Sequence, residues 1–541
     1  MRITKVNIIN YKCFEGKFSI DFHDGINIIV GNNEIGKSTI LEAIHLALTG
    51  ILNGKYIRNE LNQYLFNNNI VKAYLDNFAK QYKIELPKIV IEVFLSNDVN
   101  PKFQGNNNHE RITDYGILLK IEFDDDYKNE FEEYSKSKIE LRALPIEFYK
   151  TSWYSFSYEP MTTKIIPIKS VLIDSSSVRN QNSSDVYIAR IIQNDLEDKE
   201  KALLSQAYRE MKETFGENES VMNINNKIQD RTKITRKKII ISAELPTQTA
   251  WESALMTFVD EIPFQQIGKG EQCIIKTNLA LSHRKEKEAS LMLLEEPENH
   301  LTYSKMSELV YNIEKYYINK QIIITTHSSF ISNKLDLKNI ILLSNNKTMK
   351  LNNLSNDTYN FFKKLAGYPT LRLLLCKKAV LVEGDSDELI YQKAYFIKNK
   401  KLPIQDGIDV VSVGLSFKRF LEIAAHITIK VAVITDNDGN VEDKVIKKYK
   451  DYEIYKNIKI FFDADNKLNT LEPQFIKANE KSLKILCDAI GIDYDKYNDF
   501  DKINSYMQNN KTTWALKIFE TKENIAFPKY IMDAVDWCDE Q

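Results

Sequence analysis

Apolar positions along the chain fall into runs of two kinds. The first ten residues, Met-Arg-Ile-Thr-Lys-Val-Asn-Ile-Ile-Asn, alternate apolar and polar side chains, the period of a strand with one buried face. Residues 25–30, 291–294, 322–325, 378–382 and 431–435 are instead nearly continuous runs of β-branched residues and leucine, which predict strands covered on both faces. Further strand-like runs at residues 88–95, 117–123 and 165–173 are expected to extend the sheet formed by the first of these. Residues 186–240 are different, charge-rich and helical in period, and no heptad pattern persists long enough for a long coiled-coil arm.

The turns at the ends of the buried runs carry the chemistry. Residues 25–30 lead into Gly31-Asn-Asn-Glu-Ile-Gly-Lys-Ser38, and residues 38–48 continue with a helical pattern. Strand, glycine-bearing loop and helix in that order form a phosphate cradle. Small residues let backbone N–H groups wrap the phosphates, Lys37 neutralises charge, Ser38 offers a hydroxyl to magnesium, and the helix amino end adds positive dipole. Asn32, Asn33, Gly36, Lys37, Ser38 and Thr39 are therefore the candidate nucleotide contacts.

Residues 291–294 end in Glu295-Glu296-Pro-Glu. Glu295 stands where an Asp usually helps hold the magnesium, and Glu296 is placed to orient or deprotonate an attacking water. The Glu at 295 is a departure that alters the geometry of the metal contact and leaves room for slow hydrolysis. The third strand ends at Thr326-His327-Ser328, which suits His327 to a γ-phosphate switch, against the ordinary structural role of a lone histidine. Gly268-Lys-Gly-Glu-Gln272, before a helical run at residues 273–282, reads by itself as a solvated turn.

Two acidic turns lie further along. Lys378–Val382 delivers Glu383-Gly-Asp-Ser-Asp387 into a helix start, with Gly384 expected to permit a tight turn. Glu383 at the strand end and Asp387 on the first helical turn are close enough in sequence to share one divalent ion. Residues 431–435 end in Asp436-Asn-Asp438-Gly439, a second acidic pair that neighbouring parallel strands would bring to the same sheet edge. Either turn alone is an ordinary polar loop. Their shared position, each directly after a buried strand, points to metal binding.

Bulk properties narrow the class. A length of 541 residues suggests two to four domains, and 43% hydrophobic with 27% charged residues is the composition of folded domains. No apolar run approaches the roughly 20 residues that span a bilayer, and the amino-terminal segment has neither a signal core nor a cleavage site, so a cytosolic (cytoplasmic) protein with no membrane partner is expected. Five scattered cysteines without Cys-x-x-Cys spacing read as reduced thiols. The net charge of −2 excludes a wholly basic nucleic-acid binder but not a local basic surface.

The nucleotide residues together resemble the ATP-binding-cassette (ABC) type of ATPase head found in the structural-maintenance, recombination-repair and OLD (overcoming lysogenisation defect) families. That resemblance implies that Gly268, Gly270 and Glu271 form a signature loop completing the ATP site of a second head. The acidic turns resemble the Toprim fold of topoisomerases, primases and OLD-family nucleases, in which a glutamate and an Asp-x-Asp pair bind magnesium. No tyrosine-bearing DNA-breaking domain or template-binding module is evident, so a nuclease is the simpler reading. Asn469-Thr-Leu-Glu472 resembles the OLD Thr-Leu-Glu element, which implies that Glu472 is a ligand of a second metal, with Asp463 and Asp465 as rivals in the same loop. Lys522-Glu-Asn-Ile-Ala526 resembles the late Lys and Ala motif of that family, which implies that Lys522 stabilises the pentavalent phosphate or the leaving oxygen.

The chain is thus read as α/β, with an ABC-type ATPase head over residues 1–185 and 241–372. A helical insertion over 186–240, assigned by the resemblance to dimerisation, interrupts the head, and a Toprim nuclease domain with a C-terminal helical segment occupies 373–541. The expected activity is an ATP-gated DNA endonuclease using Mg2+, or Mn2+, at Glu383, Asp387, Asp436, Asp438 and Glu472. It is expected to act as a homo-dimer or higher oligomer. The resemblance extends to the anti-phage members of the family, Gabija nuclease subunits and retron-associated effectors, whose partners would be a helicase or a reverse transcriptase with its RNA–DNA. A DNA repair or recombination ATPase-nuclease and a noncatalytic ATP-dependent DNA clamp are the alternatives. Phosphate-binding residues encode binding and leave open whether ATP restrains or licenses cleavage.

Overall fold

The computed structural model describes residues 1–80, 85–97, 100–136, 141–174, 198–231, 241, 257–282, 290–316, 320–344, 346–351, 353–427 and 429–540. By packing, the chain divides into two units. One comprises Met1–Ile29, Asn33–Thr326 and Asn345–Thr348; the other comprises Val30–Asn32, His327–Ser344 and Met349–Gln541.

Among the described residues the first unit holds two large sheets of opposite character, beside two small two-stranded ones. Ile3–Ile9 buries Ile3, Val6 and Ile8 as its alternation predicts, with a register shift between Ile3 and Lys5. It lies between Lys17–Asp21 and Ile89–Leu95 in an antiparallel sheet that continues through Asp114–Phe123 and Tyr149–Ser155 to Pro160–Met161. The runs at 88–95 and 117–123 therefore do not extend the nucleotide-loop sheet, as the sequence had suggested. They build this separate antiparallel one, in which Asn7 donates to the buried Glu92 at 2.7 Å.

Four neighbouring strands of the other large sheet are parallel. Lys169–Asp174, Ser290–Glu295, Gln321–Thr325 and Ile26–Gly31 lie side by side in that order, with Asp174 opposite Glu295, Glu295 opposite Thr325, and Thr325 opposite Ile29. Every residue of Ile26–Gly31 and Gln321–Thr325 is buried, the continuous burial of a parallel strand covered on both faces. The third strand-like run joins this sheet from Lys169 onward. Helices Asp198–Glu217 and Glu219–Arg231 pack against one another. The remainder of the expected insertion, including the basic run at 232–238, lies outside the described residues.

In the second unit Ile408–Ser412, Lys378–Val382, Lys430–Ile434 and Ile458–Phe461 form a parallel sheet in that order. Val380, Val382, Ala432 and Ile434 pack with Tyr391 and Tyr395 of helix Asp385–Asn399 and with Trp514 of helix Lys511–Glu520. Among the described residues no helix is long and apolar enough to cross a membrane.

Candidate nucleotide and metal sites

Strand carboxyl ends in register deliver the first site. Gly36 has φ 103°, in the left-handed region, and a Cβ there would stand 2.6 Å from Phe14 Cζ and 2.8 Å from Cys13 Sγ, so glycine is required on both counts. The helix opens at Lys37, one residue before the expected start, and runs to Thr49. Lys37 is only 5% exposed, whereas Asn32, Asn33 and Ser38 are exposed and Thr39 is half-buried.

Carboxylates surround this lysine. Burial pushes the Lys37 ammonium down, and the charges of Glu296, Glu298 and Glu295 push it back up. Burial raises the Glu295 carboxyl to about 7; a hydrogen bond with Ser38 opposes the rise, and the charges of Asp174, Glu296 and Glu42 add to it. Glu296 holds φ 42°, a left-handed strain for a non-glycine residue. Its N–H donates to the Thr325 carbonyl at 2.9 Å, and its Oε2 accepts from Asn299 Nδ2 at 2.9 Å. Glu298, given no role from the sequence, accepts from Thr326 Oγ1 at 2.7 Å. Asp174 was missed because nothing in its own segment marks it; only the pairing with Glu295 brings it in.

The expected signature turn is already helical, because the helix Lys269–Ser282 begins before Gly270 and Glu271. Gln272 Nε2 holds the approach through the Ile267 carbonyl at 3.0 Å. A Cβ on Gly270 would stand 2.4 Å from the His300 carbonyl oxygen, while one on Gly268 would meet nothing within 4 Å. Gly270 thus serves a close backbone approach. His327 is exposed, one residue before Ser328, which caps helix Ser329–Lys334.

The second site is built on adjacent strands. Lys378–Val382 and Lys430–Ile434 are parallel neighbours with Leu381 opposite Val433, so Glu383 and Asp436 leave the sheet at one edge. Gly384 has φ −144°, which any residue adopts, so the tight-turn argument for this glycine does not hold. The turn is fixed by Asp387, whose Oδ2 accepts the Gly384 N–H at 3.1 Å. Asp438 has φ 48° and is exposed, while Asp387 and Asp436 are half-buried.

These acids destabilise one another's charge. Burial first, then the charges of Asp387, Glu383, Glu472 and Asp438, push the Asp436 carboxyl up to about 8. Asp387 is raised to about 7 by burial, with Glu383 and Glu472 adding to it. Glu383 is raised by burial and by Asp438, and the cations of Lys511 and Lys448 pull it down. No three His, Cys, Asp or Glu side chains among the described residues are drawn together as a finished cation cage. The donor set nevertheless fits a hard divalent cation: all oxygen, desolvated, and in mutual repulsion that a positive ion relieves.

Glu472 is 2% exposed on the first turn of helix Leu471–Ala478. It accepts from Thr470 Oγ1 at 2.8 Å and lies 3.7 Å from Lys511 Nζ. Asp463 and Asp465 use their carboxylates locally, each accepting a backbone N–H at 2.9 Å, from Asp465 and Lys467 respectively. Lys522 is exposed on the loop between helices Lys511–Glu520 and Lys529–Asp539. Sequence reasoning missed Lys511 and Asn437. Fully buried Asn437, the middle residue of Asp-x-Asp, donates to the carbonyls of Asp463, Asp465 and Leu468 at 2.8, 3.0 and 3.1 Å and accepts the Gly439 N–H at 2.8 Å.

Parallel sheet, phosphate loop and acidic sheet edge define an ATPase joined to a Toprim unit, in a mixed α/β chain. A family profile described as an AAA ATPase domain matches residues 1–332, and one described as the TOPRIM domain of overcoming lysogenization defect protein-like proteins matches residues 374–438. The chain belongs to this AAA ATPase family and is an OLD-family ATPase–Toprim protein. Endonuclease GajA of Bacillus cereus strain HuB5-5 is 23% identical over 573 residues, spanning 88% of this chain and 81% of that protein. A probable ATPase of retron Ec83 from Escherichia coli is 22% identical over 405 residues, spanning 65% and 73%. Among solved structures, an Smc head domain with an extended coiled coil, bound to the C-terminal domain of ScpA derived from Pyrococcus furiosus, aligns with 67% of this chain and 99% of that one at 14% identity and TM-score 0.34.

Proposed function

We propose that the protein is an ATP-gated DNA endonuclease of anti-phage defence that hydrolyses phosphodiester bonds at its Toprim carboxylates. The observation that carries this reading is the set of carboxylates at the ends of two adjacent parallel strands, where burial and mutual repulsion raise Asp436 to about 8. The relatives add to it, one named an endonuclease and the other a retron ATPase.

Divalent ions bound there would supply Lewis-acid activation of water and neutralisation of the phosphate. Glu383, Asp387, Asp436 and Asp438 are the proposed ligands, and Glu472 is the ligand proposed for a second ion. Asn437 holds the Asp-x-Asp turn against the 463–468 loop, so that both aspartates keep one geometry. Lys511, beside Glu472, is the cation placed to counter charge building on the phosphate. At the nucleotide site Lys37, Ser38 and Glu295 would hold a magnesium nucleotide, and Glu296 is the residue assigned to orient water. We assign dimerisation to the paired helices Asp198–Glu217 and Glu219–Arg231, and a helicase or a retron reverse transcriptase with its nucleic acid as the partner class.

The test is cleavage of supercoiled and linear DNA by the purified chain with Mg2+ or Mn2+, with and without ATP. Glu383→Ala and Asp438→Ala should each lower cleavage by orders of magnitude and leave ATP affinity unchanged, while Lys37→Ala should abolish ATP binding and leave the circular dichroism spectrum intact. A folded variant lacking Glu383, Asp436 and Asp438 that cuts like the parent would end the nuclease reading.

A further inference from the structure

Helix Ser329–Lys334, two residues beyond His327, is tied by an unbroken series of polar contacts to the backbone of Glu383, and every member of the series lies in the second unit. Asn333 is fully buried. Its Nδ2 donates to the carbonyls of Ala366 at 3.1 Å and Tyr368 at 2.9 Å, and its Oδ1 accepts from the equally buried Thr370 Oγ1 at 2.6 Å. One residue on, the Leu371 N–H donates back to Ser329 Oγ at 3.3 Å. The start of helix Thr370–Leu375 is thus clamped to the helix behind His327 at two points.

The same short helix grips the sheet. Arg372 forks onto Asp409, Nε to Oδ2 at 3.1 Å and Nη2 to Oδ1 at 2.5 Å, and Nη2 also donates to the Val410 carbonyl at 2.8 Å. A bidentate fork of this kind fixes orientation as well as distance. Asp409 and Ser412 belong to one strand, Ile408–Ser412, which is hydrogen-bonded along its length to Lys378–Val382. At the far end Ser412 Oγ and the Gly414 N–H both donate to the Glu383 carbonyl, at 3.2 and 3.0 Å. Glu383 is therefore positioned by the strand that Arg372 holds, whereas Asp436 and Asp438 lie beyond a different strand.

We infer that Asn333, Thr370, Arg372 and Asp409 are positioning residues that couple the His327 turn to the Toprim carboxylates, setting Glu383 relative to Asp436 and Asp438. This rests on the reading of His327 as a nucleotide switch and of the carboxylates as the cleavage site. A shift of the His327 turn moves helix Ser329–Lys334 with it. Because the clamp at Asn333 has no slack and the fork at Arg372 is rigid, the displacement reaches strand Ile408–Ser412 and alters the separation of Glu383 from its partners. The test reads the coupling itself.

The experiment uses the full chain and two readouts. The first is amide hydrogen exchange at residues 380–388 and 408–416 with and without ATP, which needs no nuclease activity. The second is the ratio of DNA cleavage rates with and without ATP. In the parent, ATP should change exchange in both segments. Thr370→Val, which keeps shape and removes the hydroxyl, and Arg372→Gln, which lies at the surface, should leave ATP affinity within about 2-fold of the parent, and the ATP effect of each is read against its own nucleotide-free cleavage rate. Both should erase the exchange response and shrink the ATP effect on cleavage at least ~5-fold. Asn333→Ala should do the same if it folds. An ATP-bound parent with no change at 380–388, or folded Thr370→Val and Arg372→Gln with the parental response, overturns the coupling. A parent that shows the exchange response and never cuts DNA instead overturns the nuclease reading and leaves the coupling standing.

Discussion

At the scale of single residues the two late lysines separate cleanly. Lys511 stands 3.7 Å from buried Glu472 and lowers Glu383, while Lys522 is exposed on a loop. A preorganised cation at the reacting phosphate is worth roughly 10²-fold in rate. Lys511→Ala should therefore cost about that factor in cleavage and Lys522→Ala less than about 2-fold, measured as initial rates at saturating metal; the reverse order would favour Lys522, the residue that the sequence suggested, over Lys511. The raised carboxylates give a second expectation. Burial and the neighbouring carboxylates raise Asp436 to about 8 and Asp387 to about 7 in the folded chain, against about 3.9 when unfolded. Between those values the folded state binds more protons than the unfolded one, so metal-free stability falls as pH rises from about 4 to about 8. A cation that binds the ionised carboxylates removes the penalty. Calorimetry should then show a Mg2+-induced rise in Tm that is larger at pH 8.5 than at pH 6, and an equal rise at both would argue that no metal binds these acids.

At the scale of elements, the Asp-x-Asp turn depends on its middle residue. Asn437 satisfies three carbonyls and one N–H in a site with no exposure, and each buried partner left unpaired costs about 1–3 kcal/mol. Asn437→Ala should lose at least about 2 kcal/mol in urea unfolding and weaken metal affinity with the ligands untouched; unchanged metal affinity in the folded variant would make the clamp purely structural. This residue shows where sequence reading stops. The strands before Gly31, Glu295, Glu383 and Asp436 were legible because burial on both faces leaves a continuous apolar run ending abruptly in polar chemistry. Asn437 was hidden because its partners are backbone carbonyls, which carry no residue identity. Lys511 was hidden because its neighbour Glu472 lies on a different helix. The antiparallel placement of Ile89–Leu95 and Asp114–Phe123 was hidden because a strand's own pattern does not name the sheet it joins.

At the scale of the whole molecule, the helix Asp198–Glu217 presents an exposed apolar stripe. Leu204, Met211 and Phe215 are 37%, 60% and 50% exposed, and with half-buried Tyr208 they recur at the three- and four-residue spacing of one helical face. Charged residues, Glu210, Lys212 and Glu213 among them, fill the intervening positions, so the face is amphipathic and is not general surface variation. Burying a side chain of this size stabilises an association by about 1.5–3 kcal/mol, and a self-complementary stripe gains that amount from each copy. The signature-loop reading of Gly268, Gly270 and Glu271 demands a second chain for a separate reason, since such a loop acts across to another head. Both lines lead to one expectation. Light scattering should find at least a dimer, and Met211→Lys with Phe215→Lys should lower the mass while ATP affinity per chain stays within about 2-fold. If the double variant keeps the parental mass, the stripe is not the contact and the heads themselves must carry the association; a monomeric parent, with and without ATP, would remove the trans role of the loop together with the stripe.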